Sequence, residues 1–266
     1  MGTDEREGRA AGAIQSVARA SALLQCFVGS DESLSLTELA QRTGLTVSTA
    51  YRLLQTLCAE RLLGRDRHGE RYVRGPVLLA LAQSSYVGAG LVDAQRAVDD
   101  LMLDTGASAS LGIRDESCVV VLLSAKPAAP LHFDRPAGTR VPLLQSAMGR
   151  VLLAFEPGGA GGSSTALARL GPTTPSTSTP TKLRHVLRSV EDLGYSLVDQ
   201  EQHVGVRSIA VPITDTRGVV CAAIGIQGPL IVVSDDRVTE LAARAAAAAR
   251  EVERLPNRDL FAPRLG

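Results

Sequence analysis

The sequence predicts an α+β protein in two units: an N-terminal one of short helices closed by a hairpin, and a larger one in which helices accompany an antiparallel sheet. Three observations predict it. The chain has 266 residues, too long for a single unit of ordinary size. Its first part places a helix-capping sequence, a glycine stop and an amphipathic helix in close succession. Beyond about residue 90 the apolar spacing alternates between helical steps and β-rich runs.

The opening stretch, residues 1–12, is polar and Gly-bearing and reads as a disordered tail. It lacks the apolar centre of a secretory signal, and no run of about 18 apolar residues follows, so no membrane is expected and the location reads as cytoplasmic. From Ala13 to Phe27, Val17, Ala20, Leu24 and Phe27 recur at steps of three and four and mark one helix face. The polar break Gly29 to Ser33 ends it. Ser35-Leu36-Thr37-Glu38 then forms a capping box, with Leu36, Leu39 and Ala40 as the apolar face of a second helix and Gly44 as its stop. A third helix runs from about Val47 to Leu62. Leu63 to Arg74 holds a charged turn, residues 65–71, flanked by β-capable pieces, and Gly75-Pro76 opens a further helix with apolar contacts from Leu78, Leu79 and Leu81. Two helices joined by about three residues, with a helix before and a hairpin after, make a winged helix-turn-helix over 13–75, followed by a linker helix over 76–90.

In the second unit, expected over 91–255, Asp93 to Asp104 is helical, Ser117 to Ser124 is a strand and Leu143 to Phe155 has helical spacing. The stretch 157–180, rich in Gly, Ser, Thr and Pro, reads as a loop or partly disordered insert. Thr181 to Leu193 is an amphipathic helix stopped by Gly194. Ser208 to Ile213 and Val219 to Ile226 form a hairpin turned at residues 215–218. An Ala-rich helix over about 235–253 precedes a short tail, 256–266. The four cysteines are far apart and read as buried, reduced thiols.

The charges balance, 28 basic against 28 acidic, yet the balance conceals a local field. Within 41–76 stand Arg42, Arg52, Arg61, Arg65, Arg67, Arg71 and Arg74 against only Glu60, Asp66 and Glu70. On a helical wheel Val47, Ala50, Leu54, Leu57 and Cys58 share the inner side of the third helix, while Ser48, Thr49, Arg52, Gln55 and Thr56 fill the other. Short hydroxyls at the start of the helix admit close approach to a groove, and Arg52 one turn later is suited to guanine or to phosphate. The residues expected to meet double-stranded DNA are Thr46, Ser48, Thr49, Tyr51, Arg52 and Gln55 on the helix, with Arg65, Arg67 and Arg71 on the wing.

The segment LTELAQRTGLTVSTAYRLLQTLCAERLLGRDRHGERYVRGPVLLALA resembles the DNA-binding end of the IclR family of bacterial transcriptional regulators. Two more stretches, GTRVPLLQSAMGRVLLAF at 138–155 and GYSLVDQEQHVGVRSIAVPITDTRGVVCAAIGIQGP at 194–229, resemble its ligand-binding domain. Arg61 departs from the family's usual glycine before the wing, and Arg74 from its usual apolar residue. The resemblance implies a GAF-like sensor whose pocket takes a small, often carboxylate-bearing effector, and a dimer or tetramer on a palindromic operator, more often as a repressor. Carried over by motif, the pocket wall comprises Ala147, Met148, Gly149, Asp199, Ser208, Gly225 and Gln227. Relatives that bind small oxo-acids carry Cys at the position of Ser208 and hydroxyls near 225 and 227, so that specificity does not transfer, and Gly225 points to a larger ligand.

No nucleophile elbow, His-Glu-x-x-His or P-loop is present, and His68, His132, His185 and His203 are dispersed, so neither an enzyme nor a metal or other cofactor is expected. Two further readings stay open: a DNA-binding oligomer whose sensor fold takes no ligand, and a small-molecule enzyme fused to a DNA-binding module.

Overall fold

The computed structural model describes residues 14–28, 33–88, 91–129, 132–133, 135–156, 173–256 and 261. The expected disordered tail at 1–12, most of the insert at 157–180 and most of the tail at 256–266 lie outside the described residues. The chain divides into two compact units, Met1–Ser85 and Tyr86–Gly266.

The first unit contains α1 (Gln15–Gln25), β1 (Ser33–Leu34), α2 (Leu36–Thr43), α3 (Val47–Ala59), β2 (Leu63–Arg65), β3 (Tyr72–Arg74) and α4 (Pro76–Gly88), which reaches past the boundary. The capping box forms as expected: the Ser35 hydroxyl accepts from the Glu38 amide, and the Glu38 carboxylate accepts from the Ser35 amide. Gly44, at φ 67, closes α2 while the Leu45 amide reaches back to Ala40. Three residues, Gly44 to Thr46, then turn the chain into α3, whose start is capped by the Thr46 hydroxyl accepting from the Thr49 amide. The core is Leu23, Phe27, Leu34, Leu39, Ala40, Ala50, Leu54, Leu57, Leu63 and Tyr72.

Several sequence expectations shift. Val17 is exposed, because the buried face of α1 runs through Leu23 to Phe27 rather than through the Val17 stripe. Val47 is 53% exposed, so the buried face of α3 begins at Ala50. The third helix ends at Ala59, not Leu62. Arg61 adopts φ 58, its amide bonding to Cys58 O and the next amide to Leu57 O, which is the reversal that ends a helix. Leu79 and Leu81 on α4, expected to supply apolar contacts, are exposed within the chain. The two-residue strand β1 had no sequence signal; it pairs with β3, which pairs with β2, in an antiparallel sheet.

The second unit is a six-stranded antiparallel sheet in the order β6-β5-β4-β9-β8-β7. Its strands are β4 (Ser108–Asp115), β5 (Cys118–Ala125), β6 (Arg140–Pro142), β7 (Ser196–Asp199), β8 (Val206–Thr214) and β9 (Val220–Pro229). Its helices are α5 (Leu91–Thr105), α6 (Ala147–Ala154), α7 (Pro180–Leu193) and α8 (Val238–Glu253). Period-two alternation sorts the central strands into two faces. Ala109, Leu111, Ile209, Val211, Ile224 and Ile226 point to α5 and α8, which close that side with Val98, Leu101, Leu241 and Ala245. On the opposite face Val119, Val121, Ala210 and Ala223 meet α6 and α7 through Leu144, Val151, Leu187 and Val190.

The expected helix over Leu143 to Phe155 is two pieces, a 3-10 turn Leu143–Gln145 and α6, because Ser146 is extended and caps α6 by accepting from the Gly149 amide. Of the four cysteines only Cys221 is buried; none of the four is in a disulfide, and Cys26, Cys58 and Cys118 are half-buried.

Candidate functional site

On α3, Thr46, Ser48, Tyr51, Arg52, Gln55 and Thr56 are exposed, and Thr49 is half-buried. Hydroxyls at the start tie to one another, Thr46 Oγ1 to Thr49 Oγ1 at 2.9 Å, and Gln55 Nε2 donates to the Tyr51 hydroxyl at 2.7 Å. This is a preformed polar face around the Arg52 guanidinium, which no described residue engages.

The arginines of this unit separate by task. Arg42 and Arg74 donate to carbonyls at the end of α1, Cys26 O and Phe27 O, which explains a charged residue at 74: its guanidinium satisfies a helix end. Arg71 donates to Ser33 Oγ and O, both at 3.0 Å, and to Glu38 Oε2 at 2.9 Å, so it stitches the wing to β1 and α2. Glu38 therefore serves cap and wing together, and hydrogen bonds from Ser35, with the nearby Arg71, hold its carboxyl below the usual range. Arg65 donates to Gly69 O and to the Tyr72 hydroxyl and lies 4.1 Å over the Tyr72 ring. Arg67, beside the exposed His68 and Gly69 at the wing tip, is exposed and engaged by no described residue.

In the second unit, the face of β4, β9 and β8 that points to α6 carries small and polar residues in register: Ser108 opposite Gln227, Ser110 opposite Gly225, Ser208 opposite Gln227 and Ala210 opposite Gly225. The start of α6 stands over them. Between the two lies a cavity of about 10 Å³, room for about one water, lined by Ser110, Arg135, Ala147, Met148, Ser208, Gly225 and Gln227 among others. A second cavity of about 10 Å³, lined by Ser108, Ser124, Phe133 and others, shares Ser110, Arg135 and Gln227 with it.

Five of the seven expected wall residues, Ala147, Met148, Ser208, Gly225 and Gln227, line the first cavity. Gly149 does not. Its amide is taken by Ser146, and a Cβ there would meet Leu143 O at 2.1 Å, so this glycine lets α6 pack on the preceding turn. Asp199 also lies outside the wall: it takes two hydrogen bonds from Arg207, each 3.1 Å, which hold its carboxyl below the usual range. Arg207 completes that cluster with Asp235 and Val233 O. Gly225 opens no extra room, contrary to expectation, because its missing Cβ would stand 2.4 Å from Ile209 O.

Arg135, Ser108 and Ser110 were not anticipated. Alternation on β4 was the available signal for the serines; Arg135 sits in an irregular stretch with none. Its one hydrogen-bond partner among the described residues is Gln202 Oε1 at 2.6 Å, and burial lowers its pKa to about 10 without removing the charge at neutral pH. Ser108 Oγ and Gln227 Oε1 are buried with no hydrogen-bond partner among the described residues.

A second buried network also lacked a sequence signal. Arg150, 1% exposed on α6, donates to both Glu201 carboxylate oxygens, to Leu144 O and to Thr174. Desolvation pushes the Glu201 pKa up, but hydrogen bonds from Arg150, Ser176 and Thr174 outweigh it and bring it to about 2. Among the described residues no cluster of His, Cys, Asp or Glu is suited to a metal ion, and no helix is long and apolar enough to cross a membrane.

Comparison with known proteins decides the family. Residues 16–67 match the IclR helix-turn-helix domain, and residues 91–254 match the model described as bacterial transcriptional regulator IclR C-terminal. The chain belongs to the IclR family. It is 32% identical over 253 residues to the glycerol operon regulatory protein of Streptomyces coelicolor, covering 94% of this chain and 98% of that one. To the transcriptional repressor IclR of Escherichia coli strain K12 it is 29% identical, covering 91% and 90%. The crystal structure of a transcriptional regulator from Rhodococcus sp. RHA1 superposes with a TM-score of 0.73 at 27% identity, covering 91% of this chain and 98% of that chain. As a member of the IclR family the protein is a ligand-responsive, DNA-binding transcriptional regulator, and its relatives are regulators rather than enzymes. Its two family domains coincide with the two polar features above: the α3 face in the first and the lined cavities in the second.

Proposed function

We propose that this regulator binds a palindromic operator as a dimer or tetramer, and that a small-molecule effector in the β4–β9–β8 cavity alters that binding. The observation that carries the reading is the exposed face of α3, Ser48, Arg52 and Gln55 behind the Gly44–Thr46 turn, in a unit whose other arginines are largely committed to its own fold. Ser48 and Thr46 let the helix start approach the groove, Tyr51, Arg52 and Gln55 meet base edges or phosphate, and Arg67 meets phosphate from the wing tip. Arg65 and Arg71 add field near the duplex and hold the wing in shape.

The effector rests on Met148, Ala147, Ser208, Gly225 and Gln227, with Asp199 and Gly149 as supports of the wall's geometry. That Gln227 Oε1 has no partner among the described residues supports a polar occupant, since a buried acceptor left unpaired is costly. Repression is the sense in which the similar Escherichia coli protein is named, and a cytoplasmic location accords with a DNA partner. The domains are 13–75 for DNA binding, 76–90 for the linker helix and 91–255 for the effector domain.

Fluorescence anisotropy on the DNA upstream of the gene tests this. The expected result is affinity that falls steeply with salt, a footprint of two symmetric half-sites, and particle mass of an even number of chains. Salt-insensitive binding, or equal affinity for upstream and scrambled DNA, overturns it.

A further inference from the structure

Gln55 is held in place before any duplex arrives. Its Nε2 donates to the hydroxyl of Tyr51, one turn earlier on α3, at 2.7 Å, while both side chains stand exposed. At about 100° per residue, Ser48, Arg52 and Gln55 lie opposite the buried Ala50, Leu54 and Leu57, and Tyr51 flanks them. Ser48, Tyr51, Arg52 and Gln55 fall at positions i, i+3, i+4 and i+7, the set by which a helix seated in a major groove meets base edges. A primary amide has two hydrogens and an oxygen with which to bond. The Tyr51 hydroxyl takes one hydrogen, so one N–H and Oε1 remain, a donor and an acceptor on one flat group. Adenine is the base whose major-groove edge answers both, with N6 as donor and N7 as acceptor; guanine presents two acceptors there.

We propose that Gln55 is a specificity-determining residue that reads an adenine in each half-site, Oε1 accepting from adenine N6 and Nε2 donating to N7, and that Tyr51 is its positioning residue. This rests on the operator reading above and deepens it by naming the base. A freely turning amide presents its donor and acceptor in either order and discriminates less. The bond to Tyr51 fixes the order, and it spares binding the entropy of freezing a long side chain. The Tyr51 hydroxyl, which accepts from Gln55, keeps its own proton to donate, and a phosphate oxygen is the acceptor that a duplex supplies beside the groove. Tyr51 therefore ties the backbone register to the base readout.

The test selects binding duplexes from a pool of randomised sequence with the full-length wild type, Gln55→Ala and Tyr51→Phe, and reads the base preference at every position by sequencing the bound fraction. One A·T pair in each half-site is expected at which Gln55→Ala loses at least about fivefold of the wild-type discrimination, while other positions change little. Tyr51→Phe, which removes only the hydroxyl, is expected to lose part of the preference at that same pair and none elsewhere. A duplex with 7-deazaadenine at that pair lacks the N7 acceptor, and the wild type is expected to bind it at least about threefold more weakly in anisotropy titration. This comparison stands even if a variant misfolds. Unchanged preferences in Gln55→Ala, a preference lost at a G·C pair instead, or full affinity for the 7-deazaadenine duplex overturns the proposal. Wild-type preferences in Tyr51→Phe overturn the positioning role. A wild type that selects a defined palindrome whose preferences ignore Gln55 refutes this readout and leaves the operator reading intact, whereas one that enriches no sequence defeats both.

Discussion

Arg61 occupies the left-handed region at φ 58, where a side chain with a Cβ costs roughly 1–2 kcal/mol relative to the right-handed one. Glycine removes that strain but adds entropy to the unfolded chain, so Arg61→Gly is expected to gain about 0.5–1 kcal/mol, read as a higher midpoint in chemical denaturation. A lower midpoint would show that Arg61 makes a stabilising contact. The residue was legible as a departure, but its backbone conformation was not, because the arginine lacks the glycine that ordinarily marks such a turn. Glu201 is the opposite case, silent in sequence and decisive in structure. Its pKa, depressed from 4.5 to about 2, means that its contribution to stability is complete above about 4.5 and is lost as pH falls from there toward 2. Thermal melts across pH 7 to 3 are expected to show a steep fall below 4.5 in the wild type. Glu201→Gln is expected to melt lower at pH 7, because Arg150 stays buried without its counter-charge, and to fall less on acidification. Parallel acid profiles would contradict the assignment.

At the level of elements, the wing shows how charge and architecture part company. Seven arginines between 41 and 76 read as one basic field, yet Arg42, Arg65, Arg71 and Arg74 bond within their own unit, and only Arg52, Arg61 and Arg67 project without engagement by a described residue. Sequence supplied the sign of the charge but not the partners, since Ser33 and Glu38 lie 38 and 33 residues from Arg71. The consequence is a divided prediction. Arg67→Ala is expected to reduce the slope of log affinity against log salt by about one with no change in melting temperature. Arg71→Ala is expected to lower the melting temperature, because it releases the wing from β1 and α2. Reversal of the two outcomes would exchange their roles. The helix α2 was readable to the residue because its cap and stop are local, whereas β1 and β7 are short strands whose existence depends on distant partners.

Across the whole molecule, the two faces of the six-stranded sheet explain why the second unit was recognisable and why its cavity was only partly so. One face of β4, β9 and β8 is apolar and the other small and polar, a division that alternation alone reveals once the strands are known. Motif resemblance located five wall residues; Arg135 was invisible to it, because an irregular stretch leaves no periodicity from which to infer direction. The proposed operator binding depends on one surface above all, the polar face of α3, and replacing Arg52 by Ala addresses it directly. Anisotropy titration of upstream DNA with Arg52→Ala is predicted to show at least about tenfold weaker specific binding, the cost of about 1–3 kcal/mol for one lost bidentate contact, with helical content and oligomer mass unchanged. Affinity equal to the wild type's would contradict the account.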